Sequence, residues 1–413
     1  NGSVQRLFAA PGHAGYMIAE TTQAGSVFDV GSIFTIEDND LNRAVFRHAL
    51  YTQLGKKETW QRVQQRILDD PAIDAAWKKD LTTGPLEAML ERGGMTHHLG
   101  MIDAKSGGVV REGMPTNPSC CNVVRRFPVM KPPQRPFLGG HVFDYEQFYQ
   151  STTYVVPPEY IVRFGVTGGS SILKKHAALS EAAKRSYEQE LGLTQPMQAW
   201  QMLNHPIFDL TSKYEPEDRN VSRQEALLMS GLGTQQFLDT IKMALLGGYV
   251  VRGILDDIGL TLWDMKWEFA VDGSDCFFVD TVDTDSFRAT STTQRDGHTL
   301  ILHYNKQAMR DYYKLAHADW FAGVNEAKKE AAKQGRPFTG ILKEGQASGR
   351  WPHTPEVDAG FLALQAEKTK LVREHILGQR TDAREKLQAC GEAEVDFYAQ
   401  RGLLKGYAEL NGL

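Results

Sequence analysis

Several features are missing from this chain, and each absence narrows what it can be. No apolar run approaches the ~20 residues that a bilayer span requires, and the first residues show no basic-then-apolar leader. A cytoplasmic protein with no membrane partner is therefore expected. Cysteine is scarce: four in 413 residues, adjacent at Cys120 and Cys121 and isolated at Cys276 and Cys390. That spacing fits neither a disulfide framework nor a zinc motif, so all four are read as reduced and structural. Positive charge is not in excess, with 46 Lys and Arg against 51 Asp and Glu and a net charge of −5. A nucleic-acid partner gripped by a broad basic face is excluded, and any anionic ligand must meet a local cluster of cations. No internal repeat is visible.

What remains is an ordinary globular composition, 41% hydrophobic and 23% charged, in a chain long enough for two lobes with extensions. Residues 1–36 alternate short apolar runs with Gly-rich turns and read as antiparallel strands. Leu41 to Leu54 repeats apolar residues at three and four, a helix that continues from Glu58 to Arg92 with a break at Pro71. Residues 104–157 are broken by Gly and Pro, with strands at NVVRRFPV and near TYVVPPEYIVRF and a loop at MKPPQRPFLGG between them. A helix over Gln235–Asp257 starts after Thr234 as its cap and stops at Gly259. The last hundred residues read as helical, with a polar loop near GRPFTGILKEGQASGRWPHTP.

The most informative segment is LTLWDMKWEFAVDGSDCFFVDTVDTDSF, Leu260 to Phe287. In a strand alternate side chains face opposite sides, so Trp263, Met265, Trp267 and Phe269 share an apolar face, and Asp264, Lys266 and Glu268 the other. Folding about the Asp-Gly-Ser turn brings Glu268 roughly opposite Asp280. Like charges facing each other across a ladder are destabilising and call for a shared proton, a cation or a metal. Two readings stay open at this point: a Mg²⁺ site built from oxygen ligands, or an exposed face with a Lys266 ion pair worth ~0–1 kcal/mol. Asp283, Asp285, Ser286 and Arg288 extend the polar cluster beyond the strand. His97 and His98, being adjacent, are expected on opposite sides of a strand and structural, and Trp320 and Trp351 are expected in the core or at an interface.

Four stretches together carry a resemblance. GLTLWDMKWEF with FFVDTVDTDSFR resembles the D-x-K-x-E-F strand and following acidic segment of the phosphoribosylaminoimidazole-succinocarboxamide (SAICAR) synthases. EYIVRFGVTGGSSILKK resembles that family's V-V-R-x-x-x-x-G-S-x-x-K-R segment, with one additional residue before Ser170, and IFDLTSKYEPEDRNVS its T-K-x-E stretch. YNKQAMRDY is similar to the K-Q-x-x-R-D-Y helix start of the longer members. The order is preserved over about residues 1–378.

The resemblance implies an α+β, two-lobed fold: an antiparallel N-terminal lobe (1–155, with a helical insertion at about 56–94 and a loop insertion at about 131–153), a larger mixed lobe (156–320) and a helical C-terminal region (321–413), with ATP in the cleft. It implies an ATP-dependent ligase that activates the carboxylate of carboxyaminoimidazole ribonucleotide for attack by L-aspartate. Its implied cofactors are ATP and Mg²⁺, its partners small-molecule substrates, and a homo-oligomer is consistent with it. Glu268 and Asp280 would hold the metal. Lys266, Lys213 and Asp218 would serve catalysis, Asp218 as partner of the aspartate amine. Arg163, Gly169, Ser170, Asp285, Ser286 and Arg288 would bind the ribonucleotide. The family's first hairpin carries G-K-x-K or G-K-x-R, but here the matching stretch is Gly2-Ser3-Val4-Gln5-Arg6. Both lysine positions are lost, leaving Gly2 and Arg6 as the nucleotide contacts there. That departure, with the insertions, keeps two alternatives in view: a ligase for another heterocyclic acid or amine, and a nucleotide-binding protein without turnover.

Overall fold

The computed structural model describes residues 4–191, 193, 195–215 and 219–413. Gly2 and Asp218 lie outside the described residues.

The N-terminal sheet is antiparallel, in the order Gln5–Ala9, Tyr16–Thr21, Cys121–Arg125, His98–Ile102, Val109–Val110. Helix Asn39–Leu54 lies against it and is buried on most of its circumference, Arg43, Arg47 and His48 included. The stretch from Glu58 to Arg92, read as a helix broken at Pro71, is helical but forms three helices, Lys57–Asp69, Ala75–Thr82 and Pro85–Arg92. Pro71 ends the first, and Gly84 at φ 78 before Pro85 separates the others. The stretch expected as a loop at 130–140 holds a small hairpin, Gln134–Phe137 with Gly140–Phe143, turning through Leu138 and Gly139 at positive φ.

The larger sheet, also antiparallel, runs Asn220–Val221, Gln201–Thr211, Glu159–Val166, Thr261–Asp272, Phe287–Arg295, His298–His303. Its organising strand is Thr261–Asp272. The first half pairs with Glu159–Val166 and Phe287–Arg295, the second with Thr153–Val155 and Asp275–Val279. A bulge between Leu262 and Asp264 changes the side-chain phase. The expected apolar face is corrected there: Met265, Trp267, Phe269 and Val271 join the main core, whereas Trp263 packs on Trp200 with ring centroids 5.2 Å apart.

Helix Thr234–Asp257 crosses beneath this sheet. Its cap is Gly233, not Thr234, which is the first helical residue. Gly247 and Gly248 let it approach closely: a Cβ on Gly247 would stand 2.8 Å from Phe278 and 3.0 Å from Trp267. The last three helices, Ala359–Ile376, Ala383–Gln400 and Leu404–Asn411, close the far side. Buried Lys368 there bonds Glu394 at 2.6 Å and the His303 carbonyl at 2.8 Å. One hydrophobic cluster runs from Val27 to Tyr407 and includes Trp320 and Trp351, as expected for core tryptophans. The two sheets meet where Phe278 donates its N–H to the Met95 carbonyl and accepts from His97 N–H. That junction places the end of strand Asp275–Val279 between them.

Candidate active site

A cleft of about 680 Å³ opens along the polar face of Thr261–Asp272. Val4, Ser26, Phe28, Asp29 and Arg43 line it from the N-terminal side, and Glu159, Asp264, Lys266, Asp280, Arg288, Lys306 and Arg310 from the other.

Lys266 holds the floor. Its Nζ stands 2.7 Å from Glu159 Oε1, 2.9 Å from Glu268 Oε1 and 3.6 Å from Asp280 Oδ2. Lys213 reaches the other oxygen of Glu268, Oε2. Burial disfavours the Lys266 charge, but Glu268, Asp280 and Glu159 outweigh it and push its pKa up. The two carboxylates are driven apart. Burial works against ionised Glu268, yet Lys266 and Lys213 draw its carboxyl down to about 2. Burial and then the Glu268 charge push Asp280 up to about 6. The expected pairing is corrected by one residue: Glu268 faces Val279, and Asp280 follows at φ 71, outside the ladder. That left-handed turn directs the Asp280 carboxyl back toward Glu268. Asp and Asn tolerate it better than other side chains.

A second group forms a row of alternating charge across four neighbouring strands: Asp209, Arg163, Asp264, Arg288. Arg163 Nε bonds Asp209 at 2.6 Å, and its Nη1 stands 3.2 Å from Asp264, opposite which it is paired in register. Arg288 grips both oxygens of Asp264, with Nε at 2.8 Å from Oδ1. The remaining Arg163 donors go to Ser170 Oγ at 3.3 Å and Ser171 Oγ at 3.0 Å. The resemblance gives Arg163 the ribonucleotide's phosphate or ribose to hold, and Arg163 does line the cleft. Its side chain is 4% exposed with its donors committed within the protein, so it is a buried cross-link. Ser170 is equally buried, 1% exposed, and bonds Arg163. Gly169 borders the cleft with open space where a Cβ would stand.

The segment after Asp280 is fixed from the N-terminal lobe. Asp283 is fully buried and takes ion pairs from Arg47 at 2.7 Å and Arg43 at 3.1 Å. Burial would raise its pKa, but these two guanidinium groups lower it. Arg43 also stands 3.3 Å from Asp285, which lines the cleft. Ser286 spends its hydroxyl on the Thr281 carbonyl, 2.5 Å away, and so shapes the turn.

Facing the floor are Lys306 and Arg310, one helical turn apart at the start of Gln307–Ala316. Neither has an ion pair among the described residues. Burial lowers both pKa values, and the neighbouring charges of Arg310 on Lys306 and of Arg288 on Arg310 act in the same direction. Two desolvated, unpaired cations aimed into a cleft are costly unless an anion joins them.

Arg6 is corrected: its side chain is 63% exposed, 3.5 Å from Glu20, and it does not border the cleft. The histidine expectation is also corrected. His97 bonds the Phe278 carbonyl and His98 bonds His48 at 2.7 Å, yet both rings contact Tyr51, because His97 lies in a bend before strand His98–Ile102 and strand alternation does not apply to it. Sequence reasoning missed Glu159, Arg43, Arg47, Lys306 and Arg310 as site residues. Glu159 was within reach, because alternation from Arg163 back through Ile161 puts it on the same face. The cations of helix Asn39–Leu54 gave no local signal.

A family model described as SAICAR synthetase matches residues 133–327, which span every cleft residue from Glu159 to Arg310. A putative phosphoribosylaminoimidazole-succinocarboxamide synthase of Archaeoglobus fulgidus is 28% identical over 268 residues, 63% of this chain and 73% of that one. A phosphoribosylaminoimidazole-succinocarboxamide synthase of Thermoplasma acidophilum is 26% identical over 232 residues, 56% of this chain and 70% of its own. A solved SAICAR synthase aligns at a TM-score of 0.48 and 16% identity, covering 92% of this chain and 94% of that one. Over residues 133–327 the chain is similar to the SAICAR synthetases.

Proposed function

We propose that the chain is an ATP-dependent carboxylate–amine ligase that joins the carboxylate of carboxyaminoimidazole ribonucleotide, or of a closely related heterocyclic nucleotide, to L-aspartate. The observation that carries this reading is the opposition, across one cleft, of an acidic floor clasped by Lys266 and two unpaired cations, Lys306 and Arg310. In the reaction a carboxylate oxygen attacks the γ-phosphorus of ATP and ADP leaves. The aspartate amine then attacks the acyl carbon, the C–O bond to phosphate breaks, and an amide and inorganic phosphate result.

The residues suit the charges that move. Glu268 and Asp280 fit Mg²⁺: their oxygens are hard ligands, and the repulsion that pushes Asp280 up to about 6 is relieved by a divalent cation. When bound, the metal neutralises phosphate charge as the γ-phosphoryl group transfers. Lys266 and Lys213 hold fixed positive charge beside that group and keep Glu268 ionised. Lys306 and Arg310 take an anionic group of the nucleotide acid. Arg288, fixed by Asp264, borders the same space, with Asp285, Ser286 and Gly169 at its edge. Asp218 is proposed to accept the proton of the incoming ammonium.

One observation favours a second reading, a nucleotide-binding protein without turnover: Arg6 turns outward to Glu20, and Val4 is the described residue that the first strand region brings to the cleft. A single assay separates the readings. ADP release is measured with ATP, Mg²⁺, aspartate and the imidazole nucleotide acid, each omitted in turn. Release that requires both acid and amine supports the ligase. Nucleotide binding with no release under any combination of acid and amine would overturn it.

A further inference from the structure

Away from the cleft, the start of strand Cys121–Arg125 brings two thiols and a carboxylate together. Adjacent residues in a strand point to opposite faces. Cys120, however, sits in a bend just before the strand, and its Sγ lies 3.9 Å from that of Cys121. Two sulfurs bound to one tetrahedral zinc at about 2.3 Å each would stand about 3.8 Å apart. The bend is held from three sides. Cys120 O accepts from Thr21 N–H at 2.9 Å, Cys121 N–H donates to Ser119 Oγ at 3.2 Å, and Ser119 Oγ donates to Ile102 O at 2.5 Å.

Glu20 is the cross-strand partner of Cys121. One ligand atom from each of Glu20, Cys120 and Cys121 lies within 4.8 Å of the others. The Glu20 Oε2 atom is buried and accepts no hydrogen bond among the described residues, with Arg6 Nη1 3.5 Å away. Asp40 adds negative charge nearby. Its Oδ1 is engaged by Leu41 N–H and Gln23, so it acts on the thiols through its field and not as a ligand. The three side chains are only partly buried, which leaves room for water as a fourth ligand.

We propose that Cys120, Cys121 and Glu20 form a binding site for a thiophilic divalent cation of the Zn²⁺ class, separate from the Mg²⁺-nucleotide site. Thiolate pairs select such ions over Mg²⁺, which prefers oxygen. The ion would tie strand Tyr16–Thr21 to the segment before Cys121. The next residue, Thr21, accepts from Arg47, which in turn holds Asp283, so the site adjoins the brace of the catalytic turn.

The test uses the full chain, stripped with a chelator under reducing conditions and titrated with Zn²⁺ against a chromophoric competitor. Co²⁺ serves as a spectroscopic probe. The wild type is expected to take up one equivalent of Zn²⁺ and to show thiolate-to-Co²⁺ charge-transfer absorption. Cys120→Ser and Cys121→Ser should each lose that absorption, and Glu20→Gln should weaken binding. Cys276→Ser and Cys390→Ser should keep both signals. Absence of the Co²⁺ band in the wild type overturns the proposal, as does unchanged Zn²⁺ uptake by folded Cys120→Ser and Cys121→Ser proteins.

Discussion

The Tyr51 hydroxyl lies 2.7 Å from the backbone carbonyl of Asp280 and 2.8 Å from that of Val279, so its single proton is shared between the last residue of strand Asp275–Val279 and the residue that follows it. Asp280 holds φ 71, and this bond is what a helix of the N-terminal lobe supplies to keep it there. Tyr51→Phe is expected to cost about 1 kcal/mol of stability, the usual worth of one such bond. It should raise KM for MgATP severalfold while changing KM for aspartate little. A variant with wild-type KM for MgATP would remove Tyr51 from the positioning of Asp280.

The two facing carboxylates should behave differently when neutralised. Asp280 carries a raised pKa, so the folded protein binds its proton more tightly than the unfolded chain, and stability attributable to it falls as pH rises through about 6. Asp280→Asn should therefore be neutral or stabilising at pH 8, by at most about 1 kcal/mol given that its side chain is 31% exposed. Glu268 is lowered to about 2 by Lys266 and Lys213 against the effect of burial, so Glu268→Gln leaves two cations short of a partner and should destabilise. Both variants should lose turnover. Urea melts at pH 5 and pH 8 read out the difference.

His97 sets an acid limit. Burial lowers its pKa to about 4, while the unfolded side chain titrates near its ordinary value of about 6.5. The unfolded state then binds more protons in between, so stability is present above pH ~6.5 and is lost as pH falls toward ~4. The loss assigned to His97 reaches up to about 3 kcal/mol. His48 and His98, also lowered by burial, add in the same direction. His97→Gln retains a donor for the Phe278 carbonyl and should flatten the pH dependence between 4 and 6.5; an unchanged slope would contradict the assignment.

Lys306 and Arg310 should separate binding from stability. Each is a half-buried cation without an ion pair among the described residues, so Lys306→Met and Arg310→Met should leave the melting temperature unchanged or raise it. KM for the nucleotide acid should rise about tenfold or more, or ~1.4 kcal/mol. Arg47→Met is the contrasting case, because it strips a partner from fully buried Asp283 and should cost about 3 kcal/mol. Thermal melts beside steady-state kinetics distinguish the three variants.

The strand Thr261–Asp272 was legible because its alternation is strong and its turn is marked by Asp-Gly-Ser. What alternation could not reveal was the bulge at Trp263, since an extra residue leaves no compositional trace. The polar face was correctly read as Asp264, Lys266 and Glu268, and the structure adds Glu159 as their partner. The role expected of Arg163 depended on its charge being free. Two neighbouring strands supply Asp209 and Asp264, and the start of helix Ser171–Ala177 supplies Ser170 and Ser171; the strand partners are long-range and invisible to local pattern. The same holds for Arg43 and Arg47, more than two hundred residues from the aspartate they hold.

Activation of the carboxylate by phosphoryl transfer is the central step of the proposed ligase reaction. Its most direct test is turnover of a substrate whose carboxylate is labelled with heavy oxygen, followed by mass analysis of the released phosphate. One labelled oxygen should be transferred to phosphate per amide formed, in dependence on Lys266 and Glu268. Amide formation with unlabelled phosphate would contradict it.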